Sequence, residues 1–237
     1  MEPDRIGRIE ERFRRRYRLK KLVNILISVL IVLLGVASTV FIWEYDREGL
    51  LTFRWMTVDG TVFTTAISAF YVVVSAFELV RYTELTSRLV YFLRLSAAVA
   101  ESLIMTVVLL SQLPFSPQHM HLFRFDMFNM HLLIPVLTVA SFAANDSPVG
   151  KLKPLRLLHG TWFVTLYAAA VLTLILTEVI PREMIPYAFM DAAHMSAASI
   201  LLCLAFIYSL AFLLSALLFR WNRKLSWLWF RGVASGV

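Results

Sequence analysis

Apolar residues run in six long blocks, at 22–43, 57–79, 96–113, 127–144, 157–177 and 196–219, each divided from the next by a short polar connection. Each block is near the roughly 20 residues that a helix needs to cross about 30 Å of hydrocarbon. The pattern predicts an all-α membrane protein, a bundle of six transmembrane helices. Breakers punctuate the connections: Pro114 and Pro117, then Pro148, Gly150 and Pro154, then Pro181 and Pro186. Only Pro135 falls inside a block. Trp43, Trp55, Tyr187, Trp221, Trp227 and Trp229 stand near the block ends, as an aromatic belt requires.

Charge then chooses an orientation. Of 23 Lys and Arg residues, 19 lie before the first block, between the second and third, between the fourth and fifth, or after the sixth. The alternate connections hold only Arg47, Arg54, Arg124 and Arg182. The positive-inside rule therefore predicts both termini to be cytoplasmic. The net charge of +7 lies mostly at those ends, where anionic lipid headgroups are the expected partner rather than nucleic acid. Nine of the first 21 residues are basic and Phe13 and Tyr17 are interleaved with them, which predicts an interfacial segment at 1–21. The transmembrane domain is expected over 22–219 and a cytoplasmic interfacial tail over 220–237. Gly35-Val36-Ala37 loosely resembles a signal cleavage site, but the apolar run continues to Trp43 and removing it would invert the charge of every later connection. With 237 residues, 59% hydrophobic, the six blocks leave no length for a soluble domain. No internal repeat and no pair of broken spans is present, which argues against a transporter. The single cysteine, Cys203, lies inside the last block and reads as packing.

Polar groups inside this frame mark the candidate chemistry. Blocks two, four and six all enter from the outer side, so their early residues share a depth: Thr57, His131, and Asp191 with His194 just before block six. An intramembrane histidine is costly to keep, which makes His131 a candidate functional residue. Pro135 lacks an N–H and displaces the carbonyl of His131, so a kink beside the imidazole is expected. Thr57, Thr61, Thr64, Ser68 and Ser75 share one helix face, a stripe that ordinarily means close helix packing. Thr57 differs in lying at its outer mouth, at the depth of His131, where an imidazole within reach would activate its hydroxyl. Asp59 is about 200° round the helix from Thr57 and reads as a supporting residue. Glu101 lies deep in block three without an evident role. His119 and His121 are two potential metal ligands lacking a third, so no metal is expected there. His159 reads as interfacial.

Three segments at these positions, Phe53-Arg54-Trp55-Met56-Thr57, Asn129-Met130-His131 with Pro135, and Tyr187-Ala188-Phe189-Met190-Asp191, together resemble the androgen-induced protein family of multi-pass membrane hydrolases and its bacterial relatives. Ala188 stands where that family usually has proline, and Asp59-Gly60-Thr61 replaces a Ser-Asn-containing stretch of its bacterial members. The resemblance implies an ester hydrolase without cofactor, with Thr57 as nucleophile and His131 as base, acting on fatty acid esters of hydroxy fatty acids. Nothing matches the G-x-S-x-G elbow of soluble esterases.

On that basis a lipid ester is expected to enter from the outer leaflet and to be cleaved through an acyl-threonine. The first N–H groups of block two, with Asn129 or Thr61, are candidate oxyanion donors, and Asp191 or Asp59 a candidate orienter of the imidazole. Trp55, Pro135, Tyr187 and His194 are expected around the substrate. The alternatives are a lipid-binding or regulatory bundle without turnover, and a redox protein holding haem between His131 and His194.

Overall fold

The computed structural model describes residues 3–81, 87–115, 121–146, 154–187, 190–191 and 194–234. Among the residues discussed above, Pro117, His119, Pro148, Gly150, Ala188 and Phe189 lie outside the described residues. The described residues contain no strand, and six of their helices are long and apolar enough to cross a membrane. We label them α1 (Pro3–Asp46), α2 (Met56–Arg81), α3 (Arg88–Gln112), α4 (Phe125–Ala144), α5 (Pro154–Leu176) and α6 (Ala197–Ala234). The protein is thus a multi-pass membrane protein of the all-α class.

Several helices outrun their apolar blocks, for identifiable reasons. The basic segment at 1–21 is continuous with the first span in one helix of 44 residues, roughly 66 Å long at 1.5 Å per residue. α3 begins at Arg88, because the Ser87 hydroxyl accepts the Val90 N–H at 3.4 Å and caps it. α6 runs unbroken to Ala234, well past residue 219, with Asn222 and Ser226 buried on its inner face.

Arg94 explains why α3 can hold charge below its apolar block. Its Nε donates to Asp146 Oδ2 at 2.6 Å, and its terminal nitrogens donate to Ser141 at 2.7 Å and to Asn24 at 3.3 Å. The guanidinium also lies 3.9 Å from the centroid of the Tyr71 ring. Asn24 donates to Asp146 Oδ1 at 2.7 Å and to the Tyr71 hydroxyl at 2.8 Å, while Ser141 donates to Asn24. From α6, the Asn222 amide donates to the Asp146 carbonyl at 2.7 Å and accepts the Tyr91 hydroxyl at 3.0 Å. Lys21 and Glu78 form a buried ion pair beside this network. Five helices, α1, α2, α3, α4 and α6, are therefore tied together at the end of the bundle that carries both chain termini, with the buried charges paired and bonded as a low dielectric demands.

The rest of the core is apolar and centred on α3. In its apolar stretch 67% of residues are buried, against 11% in α6. Leu95, Ala98, Val99 and Leu103 of α3 pack with Phe142, Val164, Ala211 and Leu218. Gly35 lets α1 and α2 approach closely, because a Cβ there would collide with the Thr65 hydroxyl. Asn24 meeting Tyr71, and Asn24 meeting Asp146, show that α1 runs antiparallel to α2 and α4. In α6 every buried residue lies at or beyond Ala211, and the first half meets the core only through partly buried side chains such as Ile207, Tyr208 and Leu210.

Candidate active site

The opposite end of the bundle is built around the start of α2. The chain leaves α1 through Arg47 and Gly49, at φ of 53° and 59°, and the left-handed turn leads into a 3₁₀ turn, Gly49–Arg54. Arg54 locks that turn: it binds Glu48 through two nitrogens at 2.5 and 3.0 Å and donates to the Leu51 carbonyl at 2.9 Å. The Tyr167 hydroxyl of α5 donates to the Arg54 carbonyl at 2.5 Å, and the Met56 N–H donates to the Tyr187 hydroxyl at 3.2 Å. Two tyrosines thus grip the chain on either side of Trp55, and Thr57 follows at the first turn of α2. Burial pushes the Tyr187 phenol above its usual value, so it remains protonated at neutral pH.

His131 comes from α4, whose first turn is held by Arg124. The Arg124 guanidinium binds the fully buried Asp126 with two 2.6 Å bonds and lies 4.2 Å from the Tyr45 ring centroid. That ion pair raises the pKa of Arg124 further above its ordinary value. The helix then widens into a π turn, Asn129–Leu133, in which the Ile134 N–H reaches back to Asn129. Pro135 follows immediately, so the missing N–H is accommodated by a π bulge, the local form taken by the expected kink.

Within that bulge the two imidazole nitrogens have different partners. Nδ1 lies 2.9 Å from the Met127 carbonyl and Nε2 lies 3.3 Å from Thr57 Oγ1. A carbonyl can only accept, so Nδ1 carries the proton and Nε2 presents its lone pair. The Thr57 hydroxyl is consequently the donor in the second bond. This is the arrangement of a general base beside a nucleophile, at a separation slightly looser than the 2.6–3.2 Å or so of an engaged pair. His131 is only 7% exposed, which shields it from bulk water.

Two cavities meet at Thr57, and His131 lines the larger of them. The larger, about 560 Å³, has mixed walls, with Asp46, Glu48, Arg54 and His131 beside Ile42, Trp55, Val58 and Met130. The smaller, about 110 Å³, is apolar and is lined from α3, α5 and α6 by Leu103, Val107, Val164, Leu204 and Ile207. Thr57, Gln112 and Tyr187 line both. The nucleophile candidate therefore stands in the partition between the more polar chamber, which carries the charged side chains, and the apolar one.

The remaining residues singled out in the sequence are placed as follows. Trp55 and Tyr187 are on the polar chamber wall and pack edge to face, 6.0 Å between centroids. Asn129 turns to α1 and donates to Ser38 at 3.1 Å. Thr61 is fully buried one turn below Thr57. Asp59 lines neither chamber; its N–H bonds the Trp55 carbonyl at 3.1 Å. Asp191 binds His194 Nδ1 at 2.5 Å, and that imidazole is 84% exposed, so neither group meets His131. Pro135 is buried and shapes the bulge without lining a chamber. Glu101 is fully buried against Thr64 of α2. His121 is exposed, and His159 packs against Phe92 and Trp162 at 4.4 and 4.7 Å between centroids. Among the described residues no group of three His, Cys, Asp or Glu could hold a metal ion. Gln112, Arg54 and the Met127 carbonyl were not singled out in the sequence. Gln112 carried one signal, a lone amide at the outer end of an apolar block and hence at the depth of Thr57.

Fold and site together define a multi-pass α-helical membrane protein with a hydroxyl–imidazole pair whose hydroxyl lies where two chambers meet. No protein-family model, curated protein or solved structure matches the chain.

Proposed function

We propose that the protein is an intramembrane lipid ester hydrolase with Thr57 as nucleophile and His131 as general base. The observation that carries this reading is the directed pair, Thr57 Oγ1 donating to a His131 Nε2 whose tautomer is set by the Met127 carbonyl. His131 takes the hydroxyl proton as Oγ1 attacks the ester carbonyl carbon. It then returns that proton to the alkoxide as the carbon–oxygen bond breaks and the alcohol leaves. Water attacks the resulting acyl-threonine, His131 accepting its proton and passing it back to Oγ1 as the carboxylic acid is released. In this reading the acyl chain enters the apolar chamber and the alcohol portion the more polar one, which the shared wall at Thr57 supports.

The substrate class we favour is a fatty acid ester of a hydroxy fatty acid or a similar lipid ester, on the three segments around Trp55, His131 and Tyr187 that carry the family resemblance. The distribution of basic residues supports an orientation with both termini in the cytoplasm, the basic 1–21 segment against anionic headgroups, and the chambers toward the outer side.

The test is labelling by a fluorophosphonate probe, together with turnover of a hydroxy-fatty-acid ester, for purified wild type, Thr57→Ala and His131→Ala. Labelling and turnover in wild type alone are expected. Equal behaviour of all three folded proteins overturns the proposal.

A further inference from the structure

Acyl transfer to Thr57 creates negative charge on the former carbonyl oxygen, and that oxygen needs donors which are in place before reaction. The start of α2 offers two: the N–H groups of Thr57 and Val58, first-turn groups that have no acceptor within the helix and, among the described residues, none in the connection before it. The Met56 N–H is engaged by Tyr187, and the Asn129 amide is turned away to Ser38. Thr61 is buried beneath the partition and lines neither chamber. A side-chain donor has to come from the partition itself.

Gln112 meets that requirement. It belongs to the π turn Val108–Gln112 at the outer end of α3, where the Leu113 N–H reaches back to the Val108 carbonyl. Leu109, Leu110 and Ser111 face outward, whereas Val108 and Gln112 both turn into the apolar chamber, and Gln112 extends to the polar one. Its side chain is partly buried and, among the described residues, its amide makes no hydrogen bond, so it is free to donate to a group in either chamber. It shares both chamber walls with Thr57 and with nothing else but Tyr187. A donor held open beside a nucleophile has the properties of an oxyanion group waiting for its charge.

We propose that Gln112 is a further catalytic residue, its side-chain amide donating to the oxyanion formed when Thr57 attacks an ester, opposite the first N–H groups of α2. The assignment rests on the hydrolase reading above. As Oγ1 bonds to the carbonyl carbon, the carbonyl π pair moves onto oxygen and Gln112 Nε2–H bonds it. The proton stays on the amide. When the C–O bond to the alcohol breaks, the pair returns to re-form the carbonyl and the hydrogen bond weakens.

The test compares wild type, Gln112→Met, which keeps the shape without a donor, and Gln112→Leu, on one hydroxy-fatty-acid ester and in the rate of fluorophosphonate labelling. Expected is a fall in kcat of about 10²–10³-fold with KM nearly unchanged, the signature of an interaction made only in the transition state. Labelling slows in parallel, and thermal unfolding stays at the wild-type temperature. Wild-type kcat in either folded variant overturns the assignment of Gln112 while leaving the hydrolase intact. Absence of turnover and labelling in wild type removes both.

Discussion

The carbonyl oxygen of Met127 stands 2.9 Å from Nδ1 of His131, one turn earlier on the same helix. A side chain four residues on has taken up a carbonyl that lies at the mouth of a π turn, and in doing so it aims Nε2 at Thr57. In ¹⁵N-histidine-labelled protein, His131 should show a protonated Nδ1 and a bare Nε2. The opposite tautomer would make Nε2 a donor toward Thr57 and leave the hydroxyl without a base.

Pro135 supplies the reason for that π turn, since it offers no N–H to the carbonyl of His131. Replacing it by alanine restores the donor and lets α4 revert to α geometry, which rotates His131 relative to Thr57. Pro135→Ala is expected to leave thermal stability equal or higher while turnover drops by about 100-fold, the order expected when a reacting group is displaced by about 1 Å. Unchanged kcat would detach the bulge from the chemistry.

How much of this was legible beforehand divides along physical lines. Six apolar blocks suffice for six helices because spanning length is set by the bilayer and not by partners. Thr57 and His131 were legible together because alternating topology makes depth a matter of counting residues from block starts. Arg94 was not: a charge reads as a connection, and only the meeting of five helices shows it to be buried and paired with Asp146. Direction was equally hidden. Asn129 and Asp191 have suitable depth, yet their side chains turn to Ser38 and His194, a matter of helix rotation for the first and of the path of the connection for the second, which depth alone does not determine.

Arg94 and Asp146 lead to a prediction about stability. Their side chains are 6% and 4% exposed, so removing one leaves the other as an uncompensated buried charge. Arg94→Met is expected to cost about 3–5 kcal/mol, read as a lower unfolding temperature in detergent. The double variant Arg94→Met with Asp146→Leu should recover part of that loss, because no lone charge remains. A double variant less stable than either single one would mean that the polar contacts from Asn24, Ser141 and Asn222 dominate.

Gly35 and Thr65 test the close approach of α1 and α2. A methyl group on Gly35 meets the Thr65 hydroxyl, which itself donates to the Thr61 carbonyl at 2.7 Å. Gly35→Ala should destabilise by about 1–3 kcal/mol through overpacking, and adding Thr65→Ala should relieve most of it. Additive effects of the two changes in thermal unfolding would show that the helices part instead of clashing.

The size of the apolar chamber predicts how the protein discriminates among acyl groups. Ala168 lines it from α5, facing Leu103 and Val107 of α3 across a space of about 110 Å³ that also reaches Leu204 and Ile207 on the loosely packed half of α6. Ala168→Phe fills that space. A long acyl chain then has to be turned away from the core, whereas an acetyl group still fits beside Thr57. The ratio of kcat/KM for long-chain over acetyl esters should fall by at least roughly 10- to 200-fold, the range that a single methylene in an apolar pocket already commands. If the ratio held while both rates fell together, the acyl chain would lie elsewhere, and the polar chamber beside Trp55 would be the place to seek it.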